Sequence, residues 1–403
     1  MESIRTDVVI VGAGPAGSSC AYFLAKGGAD VLLVDKKSFP REKCCGDGIF
    51  PGAVLLLQQM GLEDWLKNFY RIDYLRAFSP DGSSIAAKML ENISFPVKHG
   101  YVIPRDTLDN KLRETAISAG AGFLQIEAKL PLWEGETVAG IIGAKDGKEI
   151  QIEAKLVIAA DGSLRPFSTK LTGHNIAYNA ICLRAYFENV GNLDNCLFVF
   201  FKKELKRGYA WVFPTSQTTA NVGLGVHLSQ QSRNKDSMPD LFNRFVDSQR
   251  DSQIAGLGEA RQISKVRGFP LQMNLGRINP SANGVLIIGD AAGLISPVSG
   301  AGIAFALESG KLASQVALSA LEDNDLSGQR LSVYAHDLKR KYALDWKIGS
   351  LLTFFLQYPS VMNRVVSKAG KDQEISSQLF GIWIGLIRPH KFFSPKSLVK
   401  LLL

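Results

Sequence analysis

Residues 7–35, DVVIVGAGPAGSSCAYFLAKGGADVLLVD, restrict the possible folds more than any other stretch of the chain. Residues 7–11 form a short apolar run that reads as a buried strand. Gly12-Ala13-Gly14-Pro15-Ala16-Gly17 follows at once and matches G-x-G-x-x-G. Residues 18–26 then read as a helix, Gly27-Gly28 as its stop, and residues 31–34 as a second strand ending in Asp35. In such a unit the glycines permit a tight turn and let a pyrophosphate approach backbone N–H groups at the positive end of the helix. An acid at the end of the next strand accepts ribose hydroxyls. The bare hexapeptide is weak evidence; two strands, a helix and an acid in register make it a dinucleotide-binding unit. Gly12, Gly14, Ala16, Gly17 and Asp35 are the residues expected to hold the ligand. The apolar run is short, ends in glycine and lacks a charged leader, so it reads as a strand rather than a signal peptide.

The rest of the chain sorts into two kinds of segment. Residues 101–128 read as a helix, with Leu108, Leu112 and Ala116 at helical spacing, and then a strand. Residues 148–162 read as a hairpin arm running into a buried strand that ends in Asp161-Gly162, and residues 285–320 as a strand, a Pro/Gly loop and a long helix. Between them, residues 176–228 alternate apolar and polar positions, as an antiparallel sheet with one covered face would. Beyond about residue 326 the pattern is helical. We therefore expect an α/β protein in which a Rossmann-type domain (1–75, 101–167 and 276–325) is interleaved with an antiparallel-sheet substrate domain (76–100 and 168–275). Residues 326–403 follow as a C-terminal helical region.

A length of 403 residues suits two or three such domains, and 46% hydrophobic with 21% charged residues is ordinary for a globular enzyme. Five cysteines at irregular spacing, with no C-x-x-C pair, favour neither a disulfide framework nor a metal site, and point to a reducing, cytoplasmic compartment. The net charge of +8 is concentrated in the tail. From Arg340 onward ten Lys and Arg stand against Asp345, Asp372 and Glu374. The nearly neutral body argues against a nucleic-acid surface. The tail also carries the apolar stretches KIGSLLTFFLQYP and ISSQLFGIWIGLIRPHKFFSPKSLVKLLL, each broken by charges and too short for a transmembrane helix. They suit helices packed over the substrate domain, or a peripheral contact with an anionic membrane.

VLIIGDAAG, residues 285–293, is a second strand ending in Gly-Asp ahead of the loop and helix SPVSGAGIAFAL. Asp290 there can bind a ribityl hydroxyl, and the N–H groups of Gly302 and Ile303 can face the negative charge of a reduced flavin. The order GxGxxG, Asp161-Gly162, Gly289-Asp290 resembles the FAD-dependent oxidoreductases of the aromatic-hydroxylase superfamily. KCCGDGIFPGAVLLLQQMGL and YAWVFPTSQTTANVGLGV narrow the resemblance to its geranylgeranyl reductase branch, through a Cys-Gly-acid turn and a Y-x-W-x-F-P…N-V-G segment. Flavin halogenases carry W-x-W-x-I-P; here the first Trp is Tyr209, which argues against halogenation.

The resemblance implies reduction of isoprenoid double bonds by reduced FAD. It puts Ala16, Asp35, Cys45, Gly46, Gly48, Arg105, Asp290, Gly302 and Ile303 around FAD, with Ala128 as a looser match for an adenine contact. Tyr209, Trp211 and Phe213 are expected to line the substrate pocket. Vicinal cysteines make strained disulfides, so Cys44-Cys45 reads as a wall of the flavin pocket. The Cys45 thiol is either the proton donor to an alkene or a small buried hydrophobe; Cys44 has no assigned role. The expected partners are an isoprenoid or other apolar small molecule and an electron donor. No second strand–GxGxxG–helix unit is present for NAD(P)H, which leaves that cofactor, binding transiently, or a ferredoxin as the reductant. The alternative activity on the same fold is FAD-dependent hydroxylation of an aromatic or polyketide-like molecule.

Overall fold

The computed structural model describes residues 2–90, 93–145, 147–228, 236–250, 252 and 254–392. The expectations for Lys396, Lys400 and the apolar end of the tail lie outside these residues.

Apolar runs with little alternation build the first sheet. Glu2–Val11 lies at its centre, parallel to Val31–Asp35 on one side and to Lys148–Ala159 on the other. Gly122–Gln125 extends the sheet beyond Val31–Asp35, and Val285–Ile287 beyond Lys148–Ala159, both parallel. Thr137–Lys145 and Glu127–Glu134 form an antiparallel arm on Lys148–Ala159. Val8, Val9 and Ile10 are fully buried, as strands covered on both faces require. Helix Pro15–Lys26 starts three residues earlier than the sequence suggests, because Pro15 occupies its first turn, where the missing N–H costs nothing. It packs on helix Ile303–Glu322 so closely that a Cβ on Gly310 would lie 2.4 Å from the Ala16 carbonyl oxygen.

The second sheet runs Arg261–Gln262, Ala180–Glu188, Thr219–His227, Tyr209–Pro214, Cys196–Phe200, Tyr74–Phe78, Ser84–Lys88, with Arg267–Leu271 also on Ala180–Glu188. It is antiparallel except where Cys196–Phe200 pairs parallel with Tyr74–Phe78. The expectation of one covered face is corrected here. Cys196–Phe200 is buried at every position and Thr219–His227 at most. Phe242 and Phe245 of helix Met238–Arg250 cover one face, and helices Pro359–Ala369 and Gln373–Trp383 pack against the other. A small third sheet, Gly48–Ile49, Gly100–Val102 and Tyr70–Ile72, lies between the two. This is the expected class: a Rossmann-type α/β body interleaved with a largely antiparallel sheet, followed by C-terminal helices.

Candidate active site

One continuous cleft of about 570 Å³ runs from Asp35 and Ala128, past Gly12, Gly14 and Ala16, to Cys45, Asp290, Gly302 and Ile303, and on to Tyr209, Trp211 and Phe213. Its first part is shaped by the turn after the central strand. Gly12 has φ +110°, and a Cβ there would lie 2.3 Å from the Ala160 carbonyl oxygen. Gly14 leaves the backbone open, with only Arg41 Nη2, at 3.5 Å, near its missing Cβ. Asp35 closes this end: its Oδ2 accepts from the Ala13 N–H at 2.9 Å and its Oδ1 from the Lys37 N–H at 2.9 Å.

A chain of charges borders the cleft. Arg41 Nη2 lies 3.8 Å from Asp35 Oδ2, and Arg41 Nη1 lies 3.2 Å from Asp109 Oδ2. Asp109, fully buried, receives Arg105 in a two-pronged pair at 2.7 and 2.8 Å. The two sit four apart on helix Arg105–Ser118, a spacing that brings side chains together. Burial works against the Arg105 charge, but Asp109 outweighs it and holds the guanidinium above its ordinary value.

At the far side, strand Val285–Ile287 leads into the turn Gly289–Ala292, and Asp290 Oδ2 accepts from Ser163 Oγ at 3.1 Å. Gly302 precedes helix Ile303–Glu322; its missing Cβ would lie 3.2 Å from Asp290 Oδ1. The half-buried Lys43, absent from the residues singled out above, projects into the cleft, with its ammonium 2.9 Å from the centre of the Phe269 ring. Burial pulls its pKa down to about 8, against the opposing pull of Asp290.

Cys45 stands where this polar groove meets an aromatic chamber. Burial pushes its thiol pKa up, and so does the Asp47 charge, while the Arg105 charge and the Asp47 N–H favour the thiolate. Around it, ring centres lie 6.0 Å apart for Trp211 and Phe213, 5.9 Å for Tyr209 and Trp211, and 5.6 Å for Tyr209 and Trp383. The Trp211 indole N–H donates to Asn221 Oδ1 at 2.9 Å, and Asn221 Nδ2 donates to the Cys45 carbonyl at 2.8 Å. The Cys-Gly-acid turn and the Y-x-W-x-F-P…N-V-G segment are thus bonded to each other. Thr353, Leu356, Met362 and Trp383 of the C-terminal helices close the chamber. Cys44 also borders the cleft, its sulfur 3.8 Å from that of Cys182.

Three expected residues do something else. Gly17 does not line the cleft; a Cβ there would lie 1.9 Å from the Gly12 carbonyl oxygen, so it serves the close packing of helix on turn. Gly48 pairs with Val102 in the small sheet, its missing Cβ facing the Phe50 ring. Asp161 borders the cleft, but its carboxylate is taken up by the N–H groups of Phe167 and Ser168, at 2.7 and 2.9 Å, and by the Ser168 hydroxyl. Of the residues missed, Arg41, Asp109 and Lys43 flank or follow recognisable motifs. Trp383 has no signal, because nothing local in the tail ties it to a site more than 300 residues away.

The open glycine turn, the acid at the strand end and the Asp290–Gly302 pocket fit FAD. A family model described as "FAD binding domain" matches residues 5–338. A menaquinone reductase of Mycobacterium tuberculosis is 31% identical, over 86% of this chain and 84% of its own. A digeranylgeranylglycerophospholipid reductase of Methanopyrus kandleri is 32% identical, over 81% and 84%. The crystal structure of a geranylgeranyl bacteriochlorophyll reductase-like protein from Thermoplasma acidophilum superimposes with a TM-score of 0.85 at 25% identity, covering 99% of both chains. With its cleft, its motifs and these relatives, the chain belongs to the geranylgeranyl reductase family of FAD-dependent oxidoreductases.

Proposed function

We propose that the protein reduces carbon–carbon double bonds of an isoprenoid chain and that Cys45 is the proton donor. One observation carries this reading: a half-buried thiol stands at the junction of a dinucleotide groove and an aromatic chamber. An unactivated alkene needs a hydride on one carbon and a proton on the other. Bound FAD supplies the hydride. Burial keeps Cys45 as the thiol until the proton is needed, and Arg105 and the Asp47 N–H receive the thiolate left behind. The walls of Trp211, Phe213 and Trp383 exclude water and hold an apolar chain. When FAD binds, Gly12, Gly14 and Ala16 would hold its pyrophosphate and Asp35 its ribose. Ala128 would take the adenine, Asp290 the ribityl chain, and the Gly302 and Ile303 N–H groups the flavin ring. The names of both relatives denote molecules with polyprenyl chains, which supports the substrate class. The reductant that restores FAD is NAD(P)H or a ferredoxin-type protein.

A lipid substrate must leave a bilayer to reach this chamber. Leu351, Phe354 and Phe355 are exposed at the end of helix Gly328–Leu356, with exposed Tyr358 two residues beyond it, while Thr353 and Leu356 line the chamber. Lys347 and Arg364, near them in the chain, are also exposed. We assign these exposed residues to an anionic membrane surface. No helix among the described residues is long and apolar enough to cross a membrane.

The test is anaerobic. FAD-loaded protein is reduced with dithionite, freed of excess reductant and mixed with geranylgeranyl diphosphate, a geranylgeranyl phospholipid or a prenylated quinone. Flavin reoxidation with a product heavier by two hydrogens is expected. A flavin that stays reduced with all three until oxygen enters, followed by an oxygenated product, would overturn the reading in favour of hydroxylation.

A further inference from the structure

We infer that Asn221 and Asp47 are the positioning pair of Cys45: Asn221 clamps the Cys45 loop, and the Asp47 carboxylate keeps the thiol protonated between turnovers. The inference rests on the function proposed above and names two residues which that reading leaves without a role.

Both side chains are fully buried. Asn221 has one arrangement open to it. Its Nδ2 donates to the Cys45 carbonyl at 2.8 Å and to Asp47 Oδ2 at 2.7 Å, and its Oδ1 accepts from the Trp211 indole at 2.9 Å. Turned over, the amide would set oxygen against a carbonyl and a carboxylate and face the indole N–H with another donor. The clamp therefore ties the loop to strands Tyr209–Pro214 and Thr219–His227. Asp47 sits at φ +64°, where a side chain other than that of glycine is strained unless its surroundings hold it. Its carbonyl accepts from the Ile103 N–H at 3.0 Å.

The clamp alone does not require a carboxylate. Asp47 Oδ2 accepts from the Tyr186 hydroxyl at 2.5 Å as well as from Asn221, and an asparagine oxygen could accept both. Asp47 Oδ1 is buried and has no hydrogen-bond partner among the described residues. A buried anion is costly, and burial pushes the Asp47 pKa up to about 6 although Tyr186, Asn221, Arg184 and Arg105 all favour its charge. It is still ionised at neutral pH. The nearby titratable groups are Arg105 from helix Arg105–Ser118, Arg184 and Tyr186 from strand Ala180–Glu188, Tyr209 from strand Tyr209–Pro214, Lys43 from the same loop, and Cys45 itself. Arg105 draws Cys45 toward the thiolate, and Asp47 opposes it. Arg184 also pairs with Glu42 at 2.9 Å. The Arg105 guanidinium draws the proton donor toward its thiolate, and the carboxylate two residues away adds to burial in holding the proton.

The test of the Asp47 charge reads the Cys45 thiol directly in the full-length, FAD-loaded protein and needs no prenyl substrate, whereas the test of the Asn221 clamp uses the prenyl reduction assay. The rate of iodoacetamide alkylation is followed against pH, and peptide fragmentation separates Cys45 from Cys44. In Asp47→Asn the thiol should titrate about one pH unit lower, which makes alkylation at neutral pH roughly tenfold faster. Tyr186→Phe removes a hydrogen bond that favours the Asp47 charge and should move the curve the same way by less; it serves if Asp47→Asn does not fold. Asn221→Ala should lower kcat by about a hundredfold at unchanged KM, the cost of a misplaced reacting group. An unchanged Cys45 titration in folded, FAD-loaded Asp47→Asn, or in Tyr186→Phe where that protein does not fold, overturns the charge role. An unchanged kcat in Asn221→Ala overturns the clamp. A lowered titration in a protein that reduces no prenyl compound would support the Asp47 role while refuting the proposed substrate class.

Discussion

Cys45 and the groups around it carry the sharpest tests. Cys45→Ala should retain FAD and slow double-bond reduction by about 10²- to 10⁴-fold, the usual contribution of a positioned acid; stopped-flow reoxidation of the reduced flavin by substrate checks this. Turnover in the unmodified protein should fall only above the ordinary thiol range, because burial raises the Cys45 pKa. Asp47 leaves a second pH signature. Its folded value of about 6 lies above the unfolded one, so the native state holds this proton more tightly than the unfolded chain does. The stabilisation from neutral Asp47 is full below about pH 4 and is lost as pH rises through about 6, a change of about 3 kcal/mol. Asp47→Asn should therefore gain on the unmodified protein across that window, as denaturant midpoints on both sides of it would show. Cys45 was legible because it stands in a short motif. Asp47 and Asn221 were in plain view in the same two motif stretches, yet nothing in either stretch says that one donates to the other.

In the proposed function, helix Gly328–Leu356 separates two jobs by face, and its period makes them separable in experiment. Leu351, Phe354 and Phe355 follow the i, i+3, i+4 spacing on the outside, with exposed Tyr358 just past the helix end, while Thr353 and Leu356 face the chamber. Replacing Leu351 and Phe355 by Glu should abolish co-flotation with vesicles rich in anionic lipid and leave reduction of a detergent-dispersed substrate intact; unchanged flotation would remove this face from the membrane. The tail's helices and its apolar stretches were readable from spacing. Which side faces the chamber was not, because an apolar face can cover a core or meet a lipid with the same pattern. The second sheet teaches the same lesson. Its alternation suggested one wet face, but helices from more than 130 residues later in the chain cover the side away from Met238–Arg250.

The FAD cleft draws on segments around Gly12, Cys45, Arg105, Asp290 and Gly302, so cofactor and fold should stabilise each other. Removing FAD should lower the melting temperature, and restoring it at a hundredfold over its Kd should return about 2.7 kcal/mol. Asp290→Ala should weaken that rescue, as a melting titration with FAD would show; an equal rescue would deny Asp290 its place at the cofactor. The dinucleotide half of this molecule was written in the chain itself. A strand, a glycine turn, a helix and an acid lie within about 30 adjacent residues, so their geometry follows from local hydrogen bonding and period. The chemistry half was not. The chamber, the Arg41–Asp109–Arg105 chain of charges and the Trp211–Asn221–Asp47 network unite side chains separated by tens to hundreds of residues. Spacing along a chain does not record which distant surfaces will meet, and those contacts exist only once the two sheets and the C-terminal helices have packed together.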